Sequence, residues 1–210
     1  MAYKTEPVEK YLADASAGQP TPGGGSASAM AGAIGAAMAC MAANFTVGKK
    51  KFKDVEPQVT ELLAKCDGAR DKLLQFADDD VAAYAHVSNA YSMPKETPEE
   101  KSARTAAIQE ALKIAMATPL KTYLTCAEAL LAFDELADLA NPNLISDVGV
   151  AAAVVLGSLE GAQLNVEINL AYLKDDELVA ATRAQIEQAG PPARAAAARA
   201  LGKVYEQVRK

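Results

Sequence analysis

The chain has 210 residues, enough for one well-packed domain with no second one required. Half of them are apolar, only 5% are aromatic and none is Trp, so the core has to be built from Ala, Leu, Val and Met, which favours packed helices over a β-sandwich. A formal charge of −6 and a pI near 4.9 argue against nucleic acid as the main partner.

A first helix is predicted over about Pro7–Ala17, with Val8, Tyr11, Leu12 and Ala15 on one face. It stops before Pro20-Thr21-Pro22-Gly23-Gly24-Gly25-Ser26, a breaker of unusual strength, because Pro fixes φ and Gly alone tolerates φ > 0 cheaply. Ser26 is placed as the N-cap of a helix lasting to about Val47. The open N–H groups of such a loop could receive an anionic or polar ligand. Taken alone, though, the turn reads better as a plain helix entry, since it matches neither G-x-x-x-x-G-K-[ST] nor a strand-flanked G-x-G-x-x-G.

From Ala27 to Val47 there is no charge, and Ser28, Gly32, Ala36, Cys40, Asn44 and Gly48 recur every four residues, leaving a face that another helix can approach closely. The run is poor in Leu, Ile and Phe, lacks an aromatic belt and is followed by no second span, so it is read as a buried helix and not as a membrane crossing. Lys49, Lys50, Lys51 and Lys53 follow. Cations at a helix C-terminus are favoured by its dipole; four together also suit a poly-anionic ligand tail. Both readings stay open.

A long amphipathic helix is expected over Val55–Ala90, then a start at Thr97 (N-cap) and Pro98 (first turn), running to Thr118, where Pro119 kinks it or begins another that ends near Ala140. After Asn141-Pro142-Asn143, a second small-residue helix covers about Ser146–Tyr172, with Gly149, Ala153, Gly157 and Gly161 in a row extended by Asn165 and Asn169. Both small-residue faces are expected to be buried, within a subunit or across a dimer. Helices at about Asp175–Ala189 and Pro192–Arg209 complete an all-α fold of about seven to nine helices, with no strand, linker or repeat. Cys40, Cys66 and Cys126 are odd in number and far apart, which suits buried thiols in a reducing cytosol. Met1–Glu9 lacks an export-signal pattern.

Three features bear on chemistry. Asp78-Asp79-Asp80 precede Tyr84, and their side chains point about 100° apart, so at most one or two line a given site. Asp80 or its neighbour at the core boundary would have its pKa raised towards acid–base use, against the plainer reading of a solvated face. Second, Thr122–Leu173 holds seven acids and no Lys or Arg, which suits either a cationic ligand or, more commonly, cross-helix pairing. Third, Asn165 and Asn169 in an apolar helix must bond other helices or hold an amide-like ligand such as a pterin. His86 is the only histidine and reads as structural or superficial.

Together these stretches resemble the formiminotransferase-cyclodeaminase C-terminal domain and its stand-alone bacterial relative, methenyltetrahydrofolate cyclohydrolase. The matching stretches are Pro20–Ser26, Gly48–Phe52, Asp80–Tyr84, Met93–Thr97, Ile108–Leu112, Asn143–Gly149 and Asn165–Leu170, in family order over about residues 7 to 180 of a single 1–210 domain. The resemblance implies an all-helical homodimer in the cytoplasm. It implies hydrolysis of 5,10-methenyltetrahydrofolate to the 10-formyl product, or cyclodeamination of 5-formiminotetrahydrofolate, with no metal and no cofactor beyond the folate substrate. By family position Asp80 is the catalytic acid–base group and Asp147 the second candidate. Tyr84, Asn165 and Asn169 would orient the pterin or bridge, Gly23, Gly24, Gly25 and Ser26 would lie against it, and Lys49, Lys50 and Lys51 would meet a polyglutamate tail. A non-catalytic folate-binding helical dimer is the alternative of another class.

Overall fold

The structure, a computed structural model, describes residues 2–210; Met1, the first residue of the stretch read for an export signal, lies outside them. Six α-helices make up the fold: α1 Val8–Ser16, α2 Gly24–Asn44, α3 Glu56–Ser92, α4 Pro98–Leu139, α5 Ile145–Leu170 and α6 Asp176–Val208. A 3-10 turn at Tyr3–Thr5 precedes α1, others at Lys50–Phe52 and Pro142–Leu144 join α2 to α3 and α4 to α5, and there is no strand among the described residues. Helices α2, α3, α4 and α5 form a four-membered bundle, α6 lies against α4 and α5, and the Tyr3–Thr5 turn rests on α3.

The count is lower than expected because two proline breaks are bridged. Pro119 sits inside α4, and Pro191-Pro192 inside α6. Each Pro removes one intrahelical bond, but the surrounding residues are locked by packing. Ala193, Ala196, Ala197 and Ala200 of α6 are fully buried, and the Tyr123 hydroxyl of α4 donates to the Ile186 carbonyl just before the prolines (3.1 Å). Tertiary burial thus outweighs the local break. Where no such packing opposed it, local chemistry decided: Thr97 caps α4 in a full capping box with Glu100.

Helices α2 and α5 run antiparallel. A side chain at Gly161 would meet Ser28, one at Gly32 would meet Ser158, and one at Gly35 would meet Val155 and the Ala151 carbonyl. Of the two small-residue rows expected to be buried within a subunit or across a dimer, the middle of the α2 row (Gly32, Ala36, Cys40) is buried inside the single chain, whereas Ala153 and Gly157 of the α5 row are exposed in it. An i, i+4 row drifts about 40° per step around a helix, so on α5 it turns from α6 at Gly149, through open space, to α2 at Gly161. The expectation that no second long apolar stretch follows fails. Gly24–Asn44 and Pro142–Leu170 both have the length and composition of a membrane span, with 56% and 44% of their apolar windows buried in this fold. Ile34, Val150, Leu164 and Ile168 stand exposed on these two helices, and so does Phe45 at the C-cap of α2.

On α1 only Tyr11 is buried; Val8 and Leu12 of the predicted apolar face are exposed. Most of the acids between Thr122 and Leu173 take the commoner of the two readings. Glu160 pairs with Arg194, Glu167 with Arg183, Asp134 with Arg199 and Lys203, and Asp138 with Lys203, all on α6. Cys40, Cys66 and Cys126 are free and buried. Burial pushes the Cys126 thiol up to about 12 despite its contact with Ser158; His86 is exposed.

Candidate active site

The N-terminus of α2 is built of glycine for a visible reason. Gly23 is the N-cap and has no side chain to satisfy the first free N–H groups. Ser26 is therefore not the N-cap that the sequence suggests; it sits in the first turn, fully buried. The capping acceptor comes from another helix: Asp80 of α3 accepts the Ser26 N–H through Oδ2 at 2.9 Å. This is possible only because Gly25 lacks a Cβ, which would fall 2.2 Å from Asp80 Oδ1. The carboxylate thus lies flat on the first turn of α2, and the Ser26 hydroxyl turns away to meet Tyr11 (3.1 Å).

Above this contact is a cavity of about 260 Å³. Gly23, Gly24, Gly25, Asp80, Tyr84, Asn165 and Asn169, all expected from the sequence, line it. So do Pro20, Thr21, Val87, Ala115, Pro119 and Ile168, which the sequence reading missed. Pro20 and Thr21 were within the recognised loop; Ala115 and Pro119 arrive only through the unbroken course of α4. Asp80 is the sole carboxylate of the lining, and no Lys, Arg or His joins it. Burial pushes its carboxyl above the usual range, and the Ser26 N–H pulls it part of the way back.

The two asparagines are fixed by their own helix. Asn165 Nδ2 donates to the Gly161 carbonyl and Asn169 Nδ2 to the Asn165 carbonyl, both at 2.8 Å. With one N–H of each amide committed, each asparagine keeps its Oδ1 acceptor and a second N–H for a ligand. Asn165 also packs on Gly24, whose Cβ would lie 3.2 Å from its nitrogen.

The neighbouring acids do other work. Asp78, expected to be solvated if not in the site, is buried and accepts the Tyr3 N–H at 2.6 Å. Asp79 takes the Gln75 amide at 2.8 Å. Asp147 and the lysines are not brought to the cavity within this chain. Asp147 lies in the first turn of α5, about 27 Å of helix from Asn165. Lys49, Lys50 and Lys51 are exposed beyond the far end of α2, about 30 Å from Gly24. Those two groups belong to one end of the bundle, where Asn141 donates its N–H to Thr46 Oγ1 (2.9 Å) and its amide to the Phe45 carbonyl (3.3 Å). A larger cavity of about 480 Å³ lies between α3 and α4, with Lys65 and Lys72 opposite Glu128 and Glu135 and no residue of the Asp80 site. Its size does not make it the chemical centre, since its two cations and two carboxylates balance one another and leave no lone charge for a ligand.

The sequence model of the formiminotransferase-cyclodeaminase family matches residues 7–188. The chain belongs to this family. It is 44% identical over 170 residues to a methenyltetrahydrofolate cyclohydrolase of Methylorubrum extorquens, covering 81% of this chain and 82% of that protein. It is 36% identical over 195 residues to the formimidoyltransferase-cyclodeaminase of Rattus norvegicus, covering 93% of this chain but only 36% of the rat protein's length. The crystal structure of a formiminotetrahydrofolate cyclodeaminase from Thermotoga maritima superposes with a TM-score of 0.82, at 28% identity, over 98% of this chain and 97% of that one. The family match includes every residue of the cavity lining, from Pro20 to Asn169.

Proposed function

We propose that this family member hydrolyses 5,10-methenyltetrahydrofolate to 10-formyltetrahydrofolate, with Asp80 as its acid–base residue. The observation that carries the reading is a lone, half-buried carboxylate in a cavity without a cationic side chain. The methenyl bridge is a delocalised amidinium cation, and such a site favours a cation over a neutral or anionic ligand. The similarity to the Methylorubrum cyclohydrolase, spread over most of both chains, supports the same substrate.

The chemistry needs one group that takes a proton and returns it. Water adds to the bridge carbon while Asp80 removes one of its protons. The tetrahedral adduct then breaks its bond to N5 as Asp80 delivers that proton to N5. The remaining hydroxyl proton is lost to solvent as the formyl C=O forms on N10. A carboxyl raised by burial is a better partner for both transfers at neutral pH than one of ordinary acidity. Asn165 and Asn169 offer Oδ1 acceptors to the N–H donors of the pterin edge, and Tyr84, 38% exposed at the rim, lies beside the bridge.

Cyclodeamination is the second reading, supported by the Thermotoga and rat relatives. There N10 attacks the formimino carbon, its proton passes to Asp80, and the amino group leaves as ammonia after protonation. The experiment is direct. Purified protein is given methenyltetrahydrofolate and 5-formiminotetrahydrofolate separately, following the methenyl absorbance band and ammonia. Faster loss of the band than the uncatalysed control is the expected result. Appearance of the band with ammonia from the second substrate would instead make it a cyclodeaminase, and neither response would leave a folate-binding dimer.

The functional unit we propose is a homodimer. A cavity of about 260 Å³ is below the ~300–1,000 Å³ of sites that enclose a drug-sized ligand, and α2 and α5 leave the large apolar side chains Ile34, Val150, Leu164 and Ile168 exposed, as a docking surface would. A two-fold axis near Ile34 would pair the α2 helices antiparallel, setting the partner's Lys49, Lys50 and Lys51 near the Gly23–Ser26 loop, where a glutamate tail would emerge. The single-domain reading of residues 1–210 fits this unit, and the three free thiols suit a reducing cytoplasm.

A further inference from the structure

The chemistry assigned to Asp80 depends on where its carboxylate lies relative to the first turn of α2, and that turn has almost nothing of its own to hold it. Gly23, Gly24 and Gly25 contribute no side chains, so Ser26 is the first residue of α2 that can be gripped. It is gripped from α1. Ser26 Oγ and the Tyr11 hydroxyl are 3.1 Å apart, either able to donate, and both residues are buried. A Ser in a helix commonly bonds back to the preceding turn or caps its own N-terminus; this one does neither.

Tyr11 is itself wedged. Its ring meets Tyr3 edge-on at 5.2 Å between centroids. Tyr3 is tied by its N–H to Asp78 and by its hydroxyl to Asp14 at 2.9 Å. The N-terminal segment is therefore a strap running from α3 at Asp78, through Tyr3 and Tyr11, to Ser26 and back to α3 at Asp80. Asp78 and Asp80 hold its two ends.

We propose that Tyr11 is a positioning residue for Asp80, acting through Ser26 to keep the Ser26 N–H on the carboxylate. This rests on the reading of Asp80 as the acid–base group. Loosening that N–H weakens a hydrogen bond to the charged form, which moves the carboxyl pKa further up. The ionisable groups that face Asp80 are Tyr84, one turn along α3, and Tyr11 from α1; α4 presents Ala115 and Pro119, and α5 presents Asn165, Ile168 and Asn169. No Lys, Arg or His stands by to compensate.

Tyr11→Phe removes the hydroxyl and keeps the ring. Its kcat is expected to fall by roughly three- to tenfold, the size of one lost hydrogen bond, with KM within about twofold and the acid limb of the kcat profile displaced to higher pH. Ser26→Ala, which disturbs no buried ring, should do the same and carries the test if Tyr11→Phe does not fold. The double variant should be no worse than either single one. Lowered melting temperatures with an unmoved acid limb would make the pair merely structural and overturn the proposal. A side-chain 13C titration of Asp80 in the free variants reads the same shift without substrate. An unmoved Asp80 titration sinks the positioning role, whereas a wild-type protein inert towards both folates sinks the reading of the site.

Discussion

Three adjacent aspartates of identical chemistry are given three roles by what lies 100° around the helix. Asp78 holds the N-terminal strap, Asp79 is bonded by Gln75, and only Asp80 reaches the cavity. Asp80→Asn is expected to fold normally, because an amide oxygen can still accept the Ser26 N–H, and to lose at least about 10²-fold in kcat. Retained turnover would remove Asp80 from the mechanism while leaving the family membership intact. Stability should move the other way. Burial raises the folded-state pKa of Asp80 above its unfolded value, so its contribution to stability is full below the ordinary carboxylate range and is lost as pH rises through the folded value. Asp80→Asn should therefore melt at or above wild type at pH 8, the difference shrinking on acidification. A variant that melts clearly below wild type at pH 8 would mean that the carboxylate serves the fold and not the reaction.

Elements differ in how far their own sequence decides them. The start of α4 was legible because Thr97, Pro98 and Glu100 carry the whole capping chemistry within four residues. The continuity of α4 and α6 was not, since the local proline signal is real and is overruled by helices distant in sequence. For the same reason the glycine loop was recognisable but Ser26 was given the wrong job: its capping partner lies 54 residues away on α3. The face of α2 that meets α5 was visible as a row of small residues, and it sets a steep constraint. A Cβ at Gly35 would come within 2.6 Å of Val155 Cγ2 and 3.2 Å of the Ala151 carbonyl. Gly35→Ala is expected to cost about 1–3 kcal/mol through overpacking, even though Ala is the better helix former by up to ~1 kcal/mol. Urea unfolding measures it. A gain in stability would mean that α2 and α5 separate readily at this contact.

At the scale of the whole molecule, the residues singled out from sequence fall at two ends of one bundle. Asp80, Tyr84, Asn165 and Asn169 surround the cavity, while Asp147 and Lys49 to Lys51 lie about 30 Å off at the other end of α2 and α5. This distance is already implied by the sequence, since the glycine loop and the lysines flank one predicted helix and Asp147 and Asn165 lie towards opposite ends of another; which copy of the chain supplies each end is not, because order along a chain carries no information about it. If a two-fold axis through the exposed α2–α5 face unites the ends, Ile34→Asp, which places a charge at a residue 55% exposed in the single chain, should convert a dimer to a monomer in sedimentation analysis. The sharper test mixes two crippled proteins. Asp80→Asn abolishes turnover in its own cavity; replacing Lys49, Lys50 and Lys51 by Ala weakens capture of a polyglutamylated folate but leaves Asp80 intact. Each parent should be poor at low concentrations of that substrate. In a hybrid dimer whose sites combine one chain's Asp80 with the other's lysines, both substitutions fall in one site and the second site is whole. Equal mixing after reversible dissociation should then restore about a quarter of wild-type activity, since half the dimers are hybrids and each has one intact site. If the lysines serve their own chain, or no ligand at all, mixing restores nothing beyond the sum of the parents.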